Sequence, residues 1–178
     1  MRESKTDVVK ELVIKHAVSL IAMERLKFQE QTKHAREEKG AILKELLNHN
    51  LTADVQSSLV KYGMPVTGQY CFLSVTNNRF DLGDVLEMIT LENELAQLYG
   101  KNHSVMTFLQ EKSIVALINI RHSIKDPKEE VQRLSKRLLA LYPDHLVKTG
   151  RIVRSLQHVG ISYRDIDYDI HGKNGLKT

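Results

Sequence analysis

The sequence predicts an α+β fold: a long N-terminal helix, then a small sheet with helices packed on it. Three observations carry that reading. From residue 5 to residue 48 only Gly40 weakens a helix, in a run rich in straight-chain residues. Past Gly63 and Pro65 comes a nearly continuous apolar stretch at residues 70–75, the signature of a strand buried on both faces. From it onward the patterns alternate as β-α-β-β-α-β-α around one central hairpin, the order of a sheet with helices packed on it.

The elements follow in order. Glu11 and Lys15 form an i,i+4 pair that supports the first helix, and Gly40 marks a bend. This helix ends in an apolar tip of Ile42, Leu43, Leu46 and Leu47. Thr52 is the N-cap of a short helix through Tyr62, where Gly63 fits a left-handed C-cap and Pro65 blocks continuation. Asp84 caps a helix reaching Tyr99, with Gly100 as its stop. Strands at 105–109 and 114–120 flank a polar turn. Asp126 with Pro127 opens a helix whose Val131, Leu134, Leu138 and Leu141 face the core, and Pro143 closes it. A short strand covers 146–150. The last helix begins at Ser155 or Ser162 and runs through Tyr163, Ile166 and Ile170. Gly172 to Gly175 then turn the chain where a further strand belongs, which reads as a domain truncated at its C-terminus.

With 178 residues, 42% of them apolar and 27% charged, the chain can build an ordinary globular core. The pattern divides it into a linker helix, 1–49, and an α/β domain, 50–178. No apolar run is long enough to span a bilayer, and the N-terminus has charges in place of an apolar signal region, so no membrane role is expected. The single Cys71 excludes an internal disulfide and suits a reducing compartment, so the expected location is cytoplasmic. The net charge of +4 is interleaved with acids rather than gathered into a stripe. Lys136-Arg137 and the Arg151/Arg154 pair are the nearest approach to a basic run and read as solvated faces. With no Trp and scattered Tyr, no platform for stacking bases is signalled.

Catalytic signals are weak. The chain has no nucleophile elbow, no phosphate loop and no Gly-rich dinucleotide fingerprint. Its eight histidines include no His-x-x-x-His pair, and there is no Cys-x-x-Cys. His16, His34 and His49 read as solvated, Cys71 as a small core residue, and Asp165 with Asp169 as one solvated helix face. The sequence therefore nominates no catalytic, cofactor-binding or metal-binding residue, and the expectation is a protein that is not an enzyme.

The positions that stand out are interaction positions. Ile14, Ile21 and Phe28, continued by Ala35 and Ile42, repeat at heptad spacing. The companion positions fail, since Ala17 is followed by Glu24 and Gln31, so a long regular coiled coil is not supported. The first half of the helix still carries more apolar surface than it can bury on itself. Ile14, Ile21 and Phe28 are the candidate contacts of a homodimer, the alternative being that this surface packs on a preceding domain.

Three stretches carry a family resemblance: the helix HAVSLIAMERLKFQEQTKHAREEKGAILKELLNHN; the entry Lys61-Tyr-Gly-Met64 with the strand YCFLSV; and the segment from Gly150-Arg151 through Ser155-Leu156 to Ser162-Tyr163-Arg164. Together they resemble PucR/CdaR-type bacterial transcriptional regulators over nearly the whole chain. The resemblance implies a linker helix followed by a degenerate GGDEF-like domain of the ferredoxin-like, cyclase-type fold. It also implies a sensor domain before this segment and a helix-turn-helix after it. Where cyclases carry paired glycines and acids in the hairpin turn, this chain has Gln110-Glu-Lys-Ser113. Where their first strand ends in a metal-binding Asp, it offers Ser74, Thr76 and Asn77. Cyclase activity is therefore not expected.

The leading expectation is a dimerisation and signal-relay module of a ligand-responsive regulator, its small-molecule effector unidentified, with DNA contacted only through a domain outside this chain. The alternatives are a degenerate cyclase-fold domain that binds a nucleotide effector, or a non-catalytic scaffold domain.

Overall fold

The computed structural model describes residues 5–77, 85–100, 103–110, 113–121 and 123–171. The elements are α1 (Lys5–Leu47), α2 (Ala53–Lys61), β1 (Gln69–Asn77), α3 (Val85–Gly100), β2 (His103–Gln110), β3 (Ser113–Ile120), α4 (Pro127–Leu141), β4 (His145–Thr149), a 3-10 turn (Leu156–His158) and α5 (Val159–His171). The fold is α+β, as the alternating pattern predicts. Contacts divide the chain into two compact units, Met1–Glu38 and Lys39–Thr178.

The first unit contains the greater part of α1. In it Val9, Leu12, Val13, Ile14, Val18, Leu20, Ile21, Met23 and Leu26 are all exposed.

The second unit is built on a four-stranded antiparallel sheet in the order β2-β3-β1-β4. Strands β1 and β2 are separated by the inserted β3, which is the split βαβ topology of ferredoxin-like folds. Central β1 pairs on both sides, with Leu73 opposite Ala116 of β3 and Thr149 of β4. Because side chains alternate along a strand, β1 supplies two cores at once. Cys71, Leu73 and Val75 meet Leu95 and Tyr99 of α3 and Leu134 and Leu138 of α4. Tyr70 and Phe72 meet Leu59 of α2, Leu156, and Val159 and Ile166 of α5. All eight residues of β3 are buried, in keeping with the apolar run Ile114–Ile118 at its centre.

The unit boundary falls between Glu38 and Lys39 rather than at 49/50. The reason is the apolar tip of α1. Ile42, Leu43 and Leu46 belong to the second core and are at most 7% exposed. Burying each such side chain contributes about 1.5–3 kcal/mol, so the last turns of α1 fold with the α/β body.

The caps act as their residue types dictate. Thr52 Oγ1 accepts from the Val55 amide at 3.3 Å, and the Asp126 carboxylate accepts from the amides of Lys128 and Glu129 at 3.0 Å. Gly63 closes α2 at φ +74°, with the Met64 amide donating to the Leu59 carbonyl. Helix α1 ends in the same way without a glycine: His49 takes φ +58°, and the Asn50 amide donates to the Glu45 carbonyl. The last helix starts at neither predicted serine. Ser155 caps the 3-10 turn that leads into α5, while Ser162 lies inside α5. The predicted cap at Asp84, residues 111 and 112 of the hairpin turn and the 172–175 turn lie outside the described residues.

Candidate functional site

The predicted interaction positions behave in two ways along α1. Ile14 and Ile21 stand two turns apart on one side of the helix, 63% and 61% exposed. Phe28 lies on the same helix, and its side chain is outside the described residues. Ala35 is half-buried and Ile42 is buried in the second core, so the heptad pattern stops being available to a partner before residue 42.

Where α1 enters the α/β body, a polar group forms that the sequence did not nominate. Lys39 Nζ lies 3.2 Å from Glu92 Oε1 on α3. Thr107 of β2 donates its hydroxyl to the same Glu92 oxygen, and Lys39 Nζ reaches Thr107 Oγ1 at 3.5 Å. The ammonium also stands 5.8 Å from the centre of the Tyr62 ring at the end of α2, a cation–π distance. Lys39 and Glu92 are only 21% and 25% exposed, so solvent screens the pair less than it screens surface charges. Beside them lies a cavity of about 210 Å³ whose floor is Val105, Met106 and Thr107 of edge strand β2. One cluster thus joins the end of α1 to α2, α3 and the sheet edge. No sequence signal marks it, because its partners are 53 and 68 residues apart along the chain.

Around Ser74, the position that the resemblance sets against a cyclase metal ligand, the chain is closely packed. Ser74 is buried, and with Gln110, Tyr163, Ile166 and Asp167 it lines a gap with no room for a water molecule. The ring of Tyr163 packs edge-on against Phe72, with centroids 5.3 Å apart, and its hydroxyl accepts from Gln110 Nε2. Thr76 is half-buried, and the side chain of Asn77 lies outside the described residues. Among the described residues no three His, Cys, Asp or Glu side chains group as metal ligands would.

The third quoted stretch, 150–165, folds into a clasp. A Cβ on Gly150 would stand 2.1 Å from the Ser162 carbonyl oxygen, so only glycine lets the strand end pass α5. Ser162 Oγ accepts from the Phe72 amide at 2.8 Å, tying α5 to β1. Arg151 donates from its backbone amide and its guanidinium to the Asp165 carboxylate, each at 2.8 Å. Asp165 is therefore not a merely solvated residue, and its pKa is held below the ordinary range by those Arg151 hydrogen bonds. The Arg151 side chain is itself 66% exposed, so it pairs with Asp165 from a solvated position.

Glu130 is paired bidentately with Arg133, which lowers its pKa, and lies 3.3 Å from the buried His103 ring. Cys71 is fully buried and desolvation pushes its thiol up to about 12, so it stays protonated and unreactive at neutral pH. His49 is not simply solvated: its Nδ1 donates to the Gln157 carbonyl at 2.8 Å, tying the end of α1 to the 3-10 turn. No helix among the described residues is long and apolar enough to cross a membrane. No protein-family model matches this chain, and no curated protein matches it either.

Proposed function

We propose that this chain is the self-association and signal-relay module of a ligand-responsive transcriptional regulator of the PucR/CdaR type. The observation that carries the reading is the contrast within α1. Its last turns are part of the α/β core and are held by Lys39–Glu92, whereas its upstream turns leave large apolar side chains in water. A helix built this way can associate at one end and pass a change of pose to the body at the other. Ile14, Ile21 and Phe28 are the proposed contacts of a homodimer. The Lys39, Glu92 and Thr107 cluster is the proposed grip by which a rotation or shift of α1 reaches α3 and β2.

A sensor domain before the segment would set the pose of α1, and a helix-turn-helix after it would read DNA. Helices α2, α4 and α5 place their apolar faces in the two cores, which favours a DNA reader located elsewhere in the protein. The packed surroundings of Ser74 favour a body that relays rather than catalyses. Such a module works in the cytoplasm, in keeping with the buried, reduced Cys71.

The coding sequence on either side of this segment tests the reading. A helix-turn-helix downstream, within the same frame, is the expected result. A downstream frame that holds a catalytic or membrane domain and no helix-turn-helix would contradict it.

A further inference from the structure

The free edge of the sheet is buried where it meets the Lys39 cluster. The amides of Val153 and Gly150 donate to the carbonyls of Tyr70 and Phe72, so these two residues of β1 turn their peptide groups toward β4. Cys71, Leu73 and Val75 therefore turn theirs toward β3. Carried across the register, Ser104, Met106 and Phe108 of β2 bond to β3. Val105 and Thr107 are left with N–H and C=O groups that point away from the sheet, and β2 is an edge strand. Neither backbone has a partner among the described residues. Bulk water serves such groups on an exposed edge, but Thr107 is only 5% exposed. Beside it lies the cavity of about 210 Å³, lined by the consecutive residues Val105, Met106 and Thr107. Side chains alternate between the faces of a strand, so three in a row meet the cavity through their backbone.

The charged side chains at this cavity keep unused hydrogen-bonding capacity. The Lys39 ammonium has three N–H donors and commits two, to Glu92 Oε1 and Thr107 Oγ1. Glu92 Oε1 accepts from both Lys39 and Thr107, while its Oε2 has no partner among the described residues. One ammonium N–H and one carboxylate oxygen thus remain beside the unpaired strand groups. The two charges cancel, and both side chains are mostly withdrawn from water, so a ligand with net charge would stand uncompensated. A zwitterion matches: its carboxylate accepts from Lys39 and its ammonium donates to Glu92 Oε2. Tyr62, Ala96 and Val105 add an apolar wall for a side chain. Size narrows the choice. At about 30 Å³ per water the cavity takes about seven waters, and it falls below the roughly 300–1,000 Å³ of pockets for drug-sized molecules. A nucleotide is too large for it, and a single amino acid is not.

We propose that this cavity binds a free α-amino acid, held as a zwitterion between Lys39 and Glu92 and by the edge backbone at Thr107. The site lies wholly in the second unit, so binding does not require α1 to associate. The test is calorimetric titration of the intact chain with each common free amino acid. For any that binds, the 2-hydroxy acid and the primary amide of the same side chain remove the ammonium and the carboxylate in turn. The expected result is saturable one-to-one binding of at least one amino acid. Both analogues, and Lys39→Met, should weaken it about ten- to a hundredfold, the range for losing a charge-assisted hydrogen bond. Because Lys39 also holds α1 to the body, Ala96→Trp supplies a second variant. Residue 96 is exposed on α3, and an indole there fills the cavity while Lys39 and Glu92 stay in place. Binding should be lost in this variant with the urea denaturation of the body unchanged. Neither heat nor a rise in Tm with any amino acid at tens of millimolar overturns the proposal and leaves the cavity to water. Binding that survives Ala96→Trp overturns the location, and equal binding of the two analogues overturns the zwitterion.

Discussion

Leu20 and Leu46 are the same side chain in the same helix, yet Leu20 is 52% exposed and Leu46 is 1% exposed. The difference lies in their neighbours. Leu46 sits with Ile42 and Leu43 in a single stripe that one sheet face can cover. Leu20 belongs to a wider apolar arc that the helix cannot cover by itself. Identical helix chemistry therefore serves two purposes, anchoring at one end and availability at the other. The relay reading depends on that division.

The strongest way to break the comparison is to truncate each leucine. Leu46→Ala should cost the α/β body about 2–5 kcal/mol, the range for emptying a packed site. Leu20→Ala should change the stability of the body by no more than about 0.5 kcal/mol. Urea denaturation followed by a probe in the sheet, at concentrations where association is absent, measures both. Equal losses would mean that the two ends of α1 are not distinct.

The clasp at 150–165 gives the next largest effect. Gly150→Ala forces a methyl against the Ser162 carbonyl and should destabilise the body by about 3 kcal/mol, at the upper end for overpacking. Self-association through α1 should survive under conditions where the variant stays folded, since the clasp lies wholly in the second unit. A smaller effect is expected in acid. The pKa of Asp165 is lowered in the folded state by Arg151. Its stabilisation is therefore complete above the unfolded carboxylate value of about 3.9 and is lost as pH falls through the lower folded value. Asp165→Asn should flatten the acid limb of the stability curve and leave the slope near neutral pH unchanged. An unchanged acid limb would show that the pair contributes nothing there.

Much of the body was legible in the sequence because its elements are locally specified. Thr52, Asp126, Pro127 and Gly63 act through close neighbours in the chain, and the nearly continuous apolar run at residues 70–75 of β1 announces burial on both faces. The C-cap at His49 was not legible, since the left-handed position that usually takes glycine holds a histidine tied to distant Gln157. Lys39–Glu92 and Arg151–Asp165 were hidden for a related reason. Each looks like an ordinary helix-surface or loop charge until the split βαβ topology brings its partner beside it. The apolar excess of the upstream helix was visible from the outset.

The central claim is that a change at the upstream face of α1 reaches the body through its last turns. Amide hydrogen exchange on the wild-type chain and on I14K/I21K tests it most directly. The account predicts that loss of association lowers protection along α1 from Lys39 to Leu47 and in edge strand β2, beside the Lys39, Glu92 and Thr107 cluster. Loss of association with unchanged exchange throughout residues 39–171 would contradict it, because α1 would then gather copies of the chain without passing anything on.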